Sequence, residues 1–408
     1  RYDGSDIIGN DNQFTPLWNV GLRWNLHREE FMKRWMWVDQ FAVRGGFGYT
    51  GSIDKNALPF VVMTLGQSVV YDGQTVPTSF SYPNPNVKWQ TKQDMNVGLD
   101  LSLFDYRLEL GVNYYHNITR DVLDRKALPY SSGRNEVTEN VADIYNSGWE
   151  IDLGVTLLKN KSFQWYAKAN IAINDNKVKN TYYKDTKDLP KATLSNAHQF
   201  VENQPVNGWY GYKFAGINPI NGAVMTYTGN GEATLDMSVS GATWPTPSVF
   251  YLGNLTPPVV GGFSTSANWK QLIFSANFEF KTGHKIKSFN TFRSLDARNR
   301  HTSEANRWRE PGDITNVPAM SEAFTTYSSY MYDILLEKGN YLRCSYMTLG
   351  YNLKPEWLHK IGFSTARLSF TAKNLFTISS YSGIDPALMG SFGYPNSRKY
   401  TITLNVGF

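Results

Sequence analysis

The chain holds a single cysteine in 408 residues, Cys344. A lone thiol excludes an internal disulfide framework and any cysteine-built metal centre. No stretch approaches the roughly 20 apolar residues that a membrane-spanning helix needs. Charged residues make up only 18% of the chain and the net charge is +5, with no Lys/Arg run, so no nucleic-acid partner is predicted. His27, His116, His198, His284, His301 and His359 are scattered, without an HExxH motif or a Cys/His cluster, and neither a G-x-S-x-G elbow nor a P-loop occurs. No catalytic, cofactor-binding or metal-ligating set is therefore predicted. The chain opens on Arg1-Tyr2-Asp3-Gly4-Ser5, with neither initiator Met nor signal peptide, which is the expectation for a mature or partial chain.

Aromatics are abundant instead: 25 Tyr, 23 Phe and 12 Trp, 15% of the chain. With a negative mean hydropathy, this composition suits a protein that needs amphipathic rings at a boundary between water and something apolar. Period-two alternation recurs along the sequence. In PLWNVGLRWNL, Trp18, Val20, Leu22, Trp24 and Leu26 share a face opposite Asn19, Gly21, Arg23 and Asn25. DMNVGLDLSLF sets Met95, Val97, Leu99, Leu101 and Leu103 against Asn96, Gly98, Asp100 and Ser102. RLELGVNYY, GWEIDLGVTL and FQWYAKANIAI read alike, and so does the closing YTITLNVGF, with Tyr400, Ile402, Leu404, Val406 and Phe408 on one side. Successive side chains of a strand point to opposite faces, so these are strands with one apolar face each. Arg23, Arg44, Asp100, Glu109, Glu150, Asp152, Lys168, Glu279, Arg367 and Lys373 all fall on the other face. Patterning alone leaves two architectures open, a soluble sandwich and a membrane barrel. One strand fits poorly: Arg343 in YLRCSYMTLGYNL lands on the apolar side, which predicts a bulge or the membrane rim there.

Connection lengths separate the two architectures. Short links, such as Phe104-Asp105-Tyr106, LKNKS after Leu157 and the near-absence of residues between Trp269 and Leu272, alternate with long ones at roughly 51–86, 120–146, 177–261, 283–340 and 379–398. Short turns at one end and long loops at the other are the organisation of outer-membrane barrels. The predicted fold is thus an all-β, transmembrane antiparallel β-barrel with long extracellular loops. It has about 12 strands, the first a partial one at residues 1–8. Counting places Phe408 at the periplasmic, short-turn rim, where a terminal aromatic strand suits barrel assembly. Trp18, Trp24, Trp89, Trp149, Trp165 and Trp269 read as interfacial girdle residues.

Seven segments in order resemble the C-terminal part of the SusC/RagA family of TonB-dependent transporters: RYDGSDIIG, YHNITRDVLDRKALPYSSG, NSGWE, GWYGYKFAGINPINGAV, NRWREPGDITNVPAM, YLRCSYMTLGYNL and AKNLFTISSYSGIDPAL. The resemblance implies a 22-stranded barrel in the outer membrane of a Gram-negative bacterium. Residues 1–408 would be its C-terminal part, with the first strands, the plug and the TonB-contacting segment absent from this chain. It implies as partners the lipid bilayer, the TonB complex and a SusD-like surface lipoprotein that caps the barrel. The implied cargo is a nutrient oligomer, an oligosaccharide first and an oligopeptide second. A passive porin-like or adhesive barrel, and an outer-membrane hydrolase using Glu150 and Asp152, are the competing functions.

For this function Arg23, Arg44, Asp100, Glu109, Glu150, Asp152 and Lys168 are the lumen-facing polar set. Trp209, Tyr210, Tyr212, Trp244 and Tyr251 of the 177–261 loop are the candidates for substrate or lid contact, as aromatic platforms for sugar rings or apolar side chains, or as packing against the lid. The Asp-bearing PGD and GIDP segments raise calcium as a possibility, but Asp, Gly and Pro in this pattern read first as turn formers.

Overall fold

The protein was analysed as a computed structural model describing residues 1–6, 8, 13–53, 61–71, 74–81, 84, 87–128, 131, 136–186, 189, 200–235, 248–288, 305–319, 332–358, 362–389 and 393–408. Eleven strands form an antiparallel meander in which each pairs with its neighbours in order. They are β1 (Trp18–Trp24), β2 (Val38–Ser52), β3 (Gln90–Leu103), β4 (Leu108–Ala127), β5 (Glu136–Lys159) and β6 (Phe163–Lys179). The meander continues through β7 (Val259–Trp269), β8 (Leu272–Thr282), β9 (Tyr341–Asn352), β10 (Thr365–Lys373) and β11 (Lys399–Gly407). Thr377–Ser379 continues past β10 to pair with Tyr341–Arg343, completing a 12-stranded sheet. The partial N-terminal strand is Tyr2–Gly4, paired with Phe14–Pro16 just ahead of β1. Among the described residues β1 and β11 are each paired within the sheet on one side only, so the sheet is open at both edges.

The register lines the two faces up across strands. Val43, Leu99, Val112, Ile151 and Ile171 stand in one cross-strand row. The adjacent row runs Asp100, Gly111, Asp152, Asn170, Gly262, Glu279 and Arg343. Every residue of the first row is apolar, and the second holds only small or polar residues. The apolar face is uncovered: Leu22 is 76% exposed, Ile402 74% and Leu153 37%. At about 25 cal/mol per Å² of apolar surface, a water-facing belt of this extent is untenable, and lipid tails satisfy it. Trp18, Trp24, Trp149, Trp165 and Trp269 stand exposed on this face. Trp149 and Leu158, the partner of Trp165, lie nine residues apart on β5. At about 3.3 Å per residue and a tilt of about 40°, that is about 23 Å along the membrane normal, close to the ~25 Å apolar band of outer-membrane barrels.

All the short connections fall at one end. Phe104, Asp105 and Tyr106 turn the chain with φ of 60°, 57° and 58°, and Tyr106 N–H donates to Asp39 Oδ2 at 2.9 Å. Asn160 Oδ1 accepts from Ser162 and Phe163 N–H at 3.0 and 2.8 Å. Lys270 takes φ of 53° in the link between β7 and β8. Phe408 packs against Phe363 with tilted rings and centroids 5.1 Å apart, placing it at this same end.

Two expectations are corrected. The 120–146 connection is mostly strand: β4 and β5 stay paired out to Ala127 and Glu136. Asp121, at φ of 57°, sits in a register shift that exchanges the two faces and hides the alternation. Trp89 is not a girdle residue, because its indole N–H donates to Gln13 O at 3.0 Å and its ring packs on buried Ile8 and Val87. The bulge predicted at Arg343 is present. A register shift opposite Asn277 and Phe278 skips Ser345, which returns Arg343 to the polar face opposite Glu279.

Candidate functional site: the polar face and its outer mouth

The polar face carries charge of both signs, part of it paired. Arg23 and Arg44 are direct cross-strand partners, a repulsive arrangement by itself. Asp100 lies between them, with Oδ2 2.8 Å from Arg23 Nη1 and Oδ1 3.6 Å from Arg44 Nε. Gly98 makes this possible, since any Cβ there would run into the Arg44 side chain. Gly154 plays the same part beside Tyr166, whose hydroxyl donates to Glu109 Oε2 at 3.5 Å and would lie 2.6 Å from a Cβ at that position. Glu150 accepts from Asn113 Nδ2 at 3.2 Å. Asp100, Glu109, Asp152 and Lys168 border one hollow of ≈ 210 Å³. These pairs are half exposed and each contributes at most about 1 kcal/mol. They set the wetting and charge of the wall more than its stability.

At the long-connection end, the β6–β7 link folds into a small body of its own. Gly208–Gly211 pairs with Phe250–Asn254, and Phe214–Ile217, Val224–Tyr227 and Ala233–Leu235 form a three-stranded sheet. Between them lies the largest buried apolar cluster of the described residues, built on Trp209, Tyr210, Tyr212, Leu252 and Tyr332. Bonds from this body reach the other long connections. Trp209 Nε1 donates to Lys285 O at 2.8 Å, and Phe214 N–H donates to Asp333 Oδ1 at 2.9 Å. Those connections are also tied to each other, with Tyr381 Oη donating to Lys287 O at 3.1 Å.

The aromatic candidates are therefore split. Trp209, Tyr210 and Tyr212 are 5%, 1% and 2% exposed, so they are the core of this body and not open platforms. Burial, and the neighbouring Tyr251, push the Tyr210 phenol far above its ordinary value. Tyr251 is half-buried and burial raises it to about 12, so both stay neutral. Trp244 lies outside the described residues. Tyr251 borders a cavity of ≈ 510 Å³ between the ends of β5 and β6 and segments 203–207 and 254–258. Its wall carries Asn146, Asn174, Asn176, Asn203, Asn207 and Asn254. Sequence reasoning missed this cluster; the only local signal is the asparagine density of ANIAINDNKVKN.

Asp385 of the GIDP segment holds the wall to the outer connections. Its carboxylate pairs with Arg343 Nη2, both residues being under 8% exposed, and Arg343 Nε donates to Thr377 Oγ1 at 3.1 Å. Asp313 of PGD accepts from the backbone N–H of Arg309 and Glu310. Both aspartates thus serve turns and pairing, and no metal-binding group of His, Cys, Asp and Glu occurs among the described residues.

Residues 1–279 match the family described as TonB dependent receptor-like, beta-barrel. TonB-dependent receptor P3 of Formosa agariphila is 28% identical over the whole chain, which covers 43% of that relative. TonB-dependent receptor SusC of Bacteroides thetaiotaomicron is 23% identical, again over the whole chain and 41% of the relative. Among solved structures, that of the RagAB peptide transporter superposes with a TM-score of 0.78 at 25% identity, over 100% of this chain and 45% of that one. The chain thus spans less than half the length of the relatives it matches. Two-faced strands of membrane-spanning length, a bare apolar belt and these matches lead to one conclusion: the chain belongs to the TonB-dependent receptor β-barrel family, of the SusC/RagA type, and its strands cross the outer membrane of a Gram-negative bacterium.

Proposed function

We propose that residues 1–408 are the C-terminal wall of an active importer of a nutrient oligomer. A longer polypeptide would supply the remaining strands, the plug and the segment that contacts TonB. The observation that carries this reading is the pairing of an exposed apolar belt with a charged opposite face, on a sheet left open at both edges. Such a sheet hides its free edges only by pairing them, and among the described residues β1 and β11 do not pair with each other, so further strands are the proposed partners. A SusD-like lipoprotein is the proposed lid. Ile220, Ile314, Ile384 and Tyr394 are 63–99% exposed on the long connections, and apolar groups on that rim suit a protein partner.

The cargo reading shifts with the burial of Trp209, Tyr210 and Tyr212. An oligosaccharide expectation leaned on open aromatic faces, and three of the five named rings are core. An oligopeptide takes first place, in keeping with a structural relative described as a peptide transporter. The family is one of receptors and transporters, not of enzymes, and Glu150 and Asp152 are read as wall polarity. The test is uptake of labelled peptide and glycan pools by cells with and without TonB. Loss of uptake on TonB deletion supports the importer; uptake that persists unchanged points to a passive barrel.

A further inference from the structure

The edge of β6 is paired on one side and open on the other. It follows β5 as far as Lys179 opposite Asp143, but it follows β7 only as far as Ile173 opposite Val259. From Asn174 to Lys177 its second edge borders the ≈ 510 Å³ cavity, within the size range of ligand sites. Two bonds pin the ends of this edge: Asn174 N–H donates to Pro258 O and Val178 N–H donates to Gln204 O, both at 2.8 Å. Peptide groups two residues apart on a strand point the same way. The N–H and C=O of Asn176 therefore face the cavity, and no backbone partner meets them among the described residues. Pro258 and Gln204 occupy the places opposite Asn174 and Val178, so the free edge between them is about two residue steps of about 3.3 Å, or about 7 Å, room for two or three residues of extended chain.

The side chains are held ready around that edge. Asn176 Oδ1 accepts from Val206 N–H at 2.7 Å and its Nδ2 donates to Asn146 Oδ1 at 2.5 Å. Asn174 Oδ1 accepts from Tyr115 Oη at 2.7 Å, Asn207 Nδ2 donates to Thr256 Oγ1 at 3.1 Å, and Asn254 Oδ1 accepts from Tyr251 Oη. Each of the last three carboxamides is fixed at one end and has no hydrogen-bond partner at the other among the described residues, which lowers the entropy cost of binding. The charges on the wall, Asp175 and Lys177, pair with each other at 2.8 Å, so the cavity favours a neutral ligand. A sugar ring calls for an open aromatic face. Tyr251 is the one aromatic ring among the lining residues, and it packs against Tyr210 at 5.9 Å.

We propose that this cavity binds a neutral stretch of extended peptide, which adds as a short strand to the open edge of β6 at Asn176 and takes further bonds from Asn174, Asn207 and Asn254. The proposal rests on the importer reading and names its cargo chemistry.

The test titrates the full-length receptor, in the complex in which it is purified, with a pool of neutral, end-blocked random decapeptides. The same pool N-methylated at alternate residues, and maltoheptaose, are the comparison probes. The plain pool is expected to bind. Alternate N-methylation, which removes main-chain donors, is expected to weaken it about tenfold or more, and Asn174→Ala and Asn254→Ala about two- to tenfold each. The methylation arm uses the unaltered protein, so it holds even where a variant fails to fold. Equal binding of the methylated pool, or binding of maltoheptaose in place of peptide, overturns the proposal. Uptake in cells separates the two levels. TonB-dependent peptide uptake that proceeds at the wild-type rate in both variants overturns the slot and leaves the importer standing, whereas TonB-independent uptake overturns the importer.

Discussion

Replacing Asp385 by Ala removes one partner of the buried pair with Arg343 and leaves a guanidinium that is 4% exposed. Breaking a buried ion pair from one side costs about 3–5 kcal/mol. The lower end applies here, because Arg343 keeps Thr377 Oγ1 at 3.1 Å and half-exposed Glu279 at 3.7 Å. About 3 kcal/mol corresponds to about two orders of magnitude in an opening equilibrium. Asp385 also accepts from Ala387 N–H at 2.9 Å and Asn396 N–H at 3.4 Å, so Asp385→Asn separates the lost charge from the lost acceptors. The assay is hydrogen exchange by mass spectrometry on the full-length receptor, read over residues 377–389. Asp385→Ala should speed exchange there about a hundredfold and Glu279→Gln only a fewfold, since an exposed partner contributes under about 1 kcal/mol. Arg343→Met combined with Asp385→Leu should return close to wild type, because a buried pair replaced by apolar residues of similar volume is near neutral. If Asp385→Ala opens the segment no faster than Glu279→Gln, the pair is not what fastens it.

Three further outcomes follow from the same geometry. Leu153 lies four residues from Trp149, about 13 Å along β5 and so near the middle of the apolar band. Leu153→Arg should cost about 2–4 kcal/mol and Asp152→Arg under about 1 kcal/mol in urea unfolding from lipid vesicles; equal costs would contradict the face assignment. Trp209→Ala removes a core ring and should cost about 3–5 kcal/mol locally, so limited proteolysis should cut within 200–258 while the barrel keeps its heat-modifiable gel shift. Loss of ligand binding with unchanged proteolysis would restore the platform reading. Burial alone raises the Glu202 carboxyl, but the hydrogen bond and charge of Lys184 and the N–H of Thr181 outweigh it and hold the group below its ordinary value. Its folded value lies below the unfolded one, so its stabilisation is complete above about pH 4.3 and fades as pH falls through the folded value. Exchange over 181–186 should quicken in that acid range, and Glu202→Gln should remove the pH dependence; an unchanged profile in the variant would refute the assignment.

The sheet was legible because lipid on one side and water on the other force strict alternation on every crossing strand. Where a bulge intervenes the code inverts. Asp121 hid the outer halves of β4 and β5, and the skipped Ser345 made Arg343 look lipid-facing. The partner of Arg343 stands 42 residues away, beyond any local pattern, although both residues had drawn notice separately. Aromatic density in 177–261 was plain to read, but density does not distinguish a ring that faces water from one that fills a core. The cavity asparagines are spread from 146 to 254 and meet only because β6 parts from β7 after Ile173.

Odd-numbered residues of β5 from Trp149 to Leu157 touch lipid while the even-numbered ones face water. A nitroxide scan of these positions in the full-length receptor in vesicles reads this directly, with Cys344 buried at 0% exposure and out of reach of the label. High collision rates with oxygen and low rates with a water-soluble nickel chelate are expected at 151, 153 and 155, and the reverse at 150, 152 and 154. Uniform nickel access at both sets, or the opposite phase, would contradict this assignment.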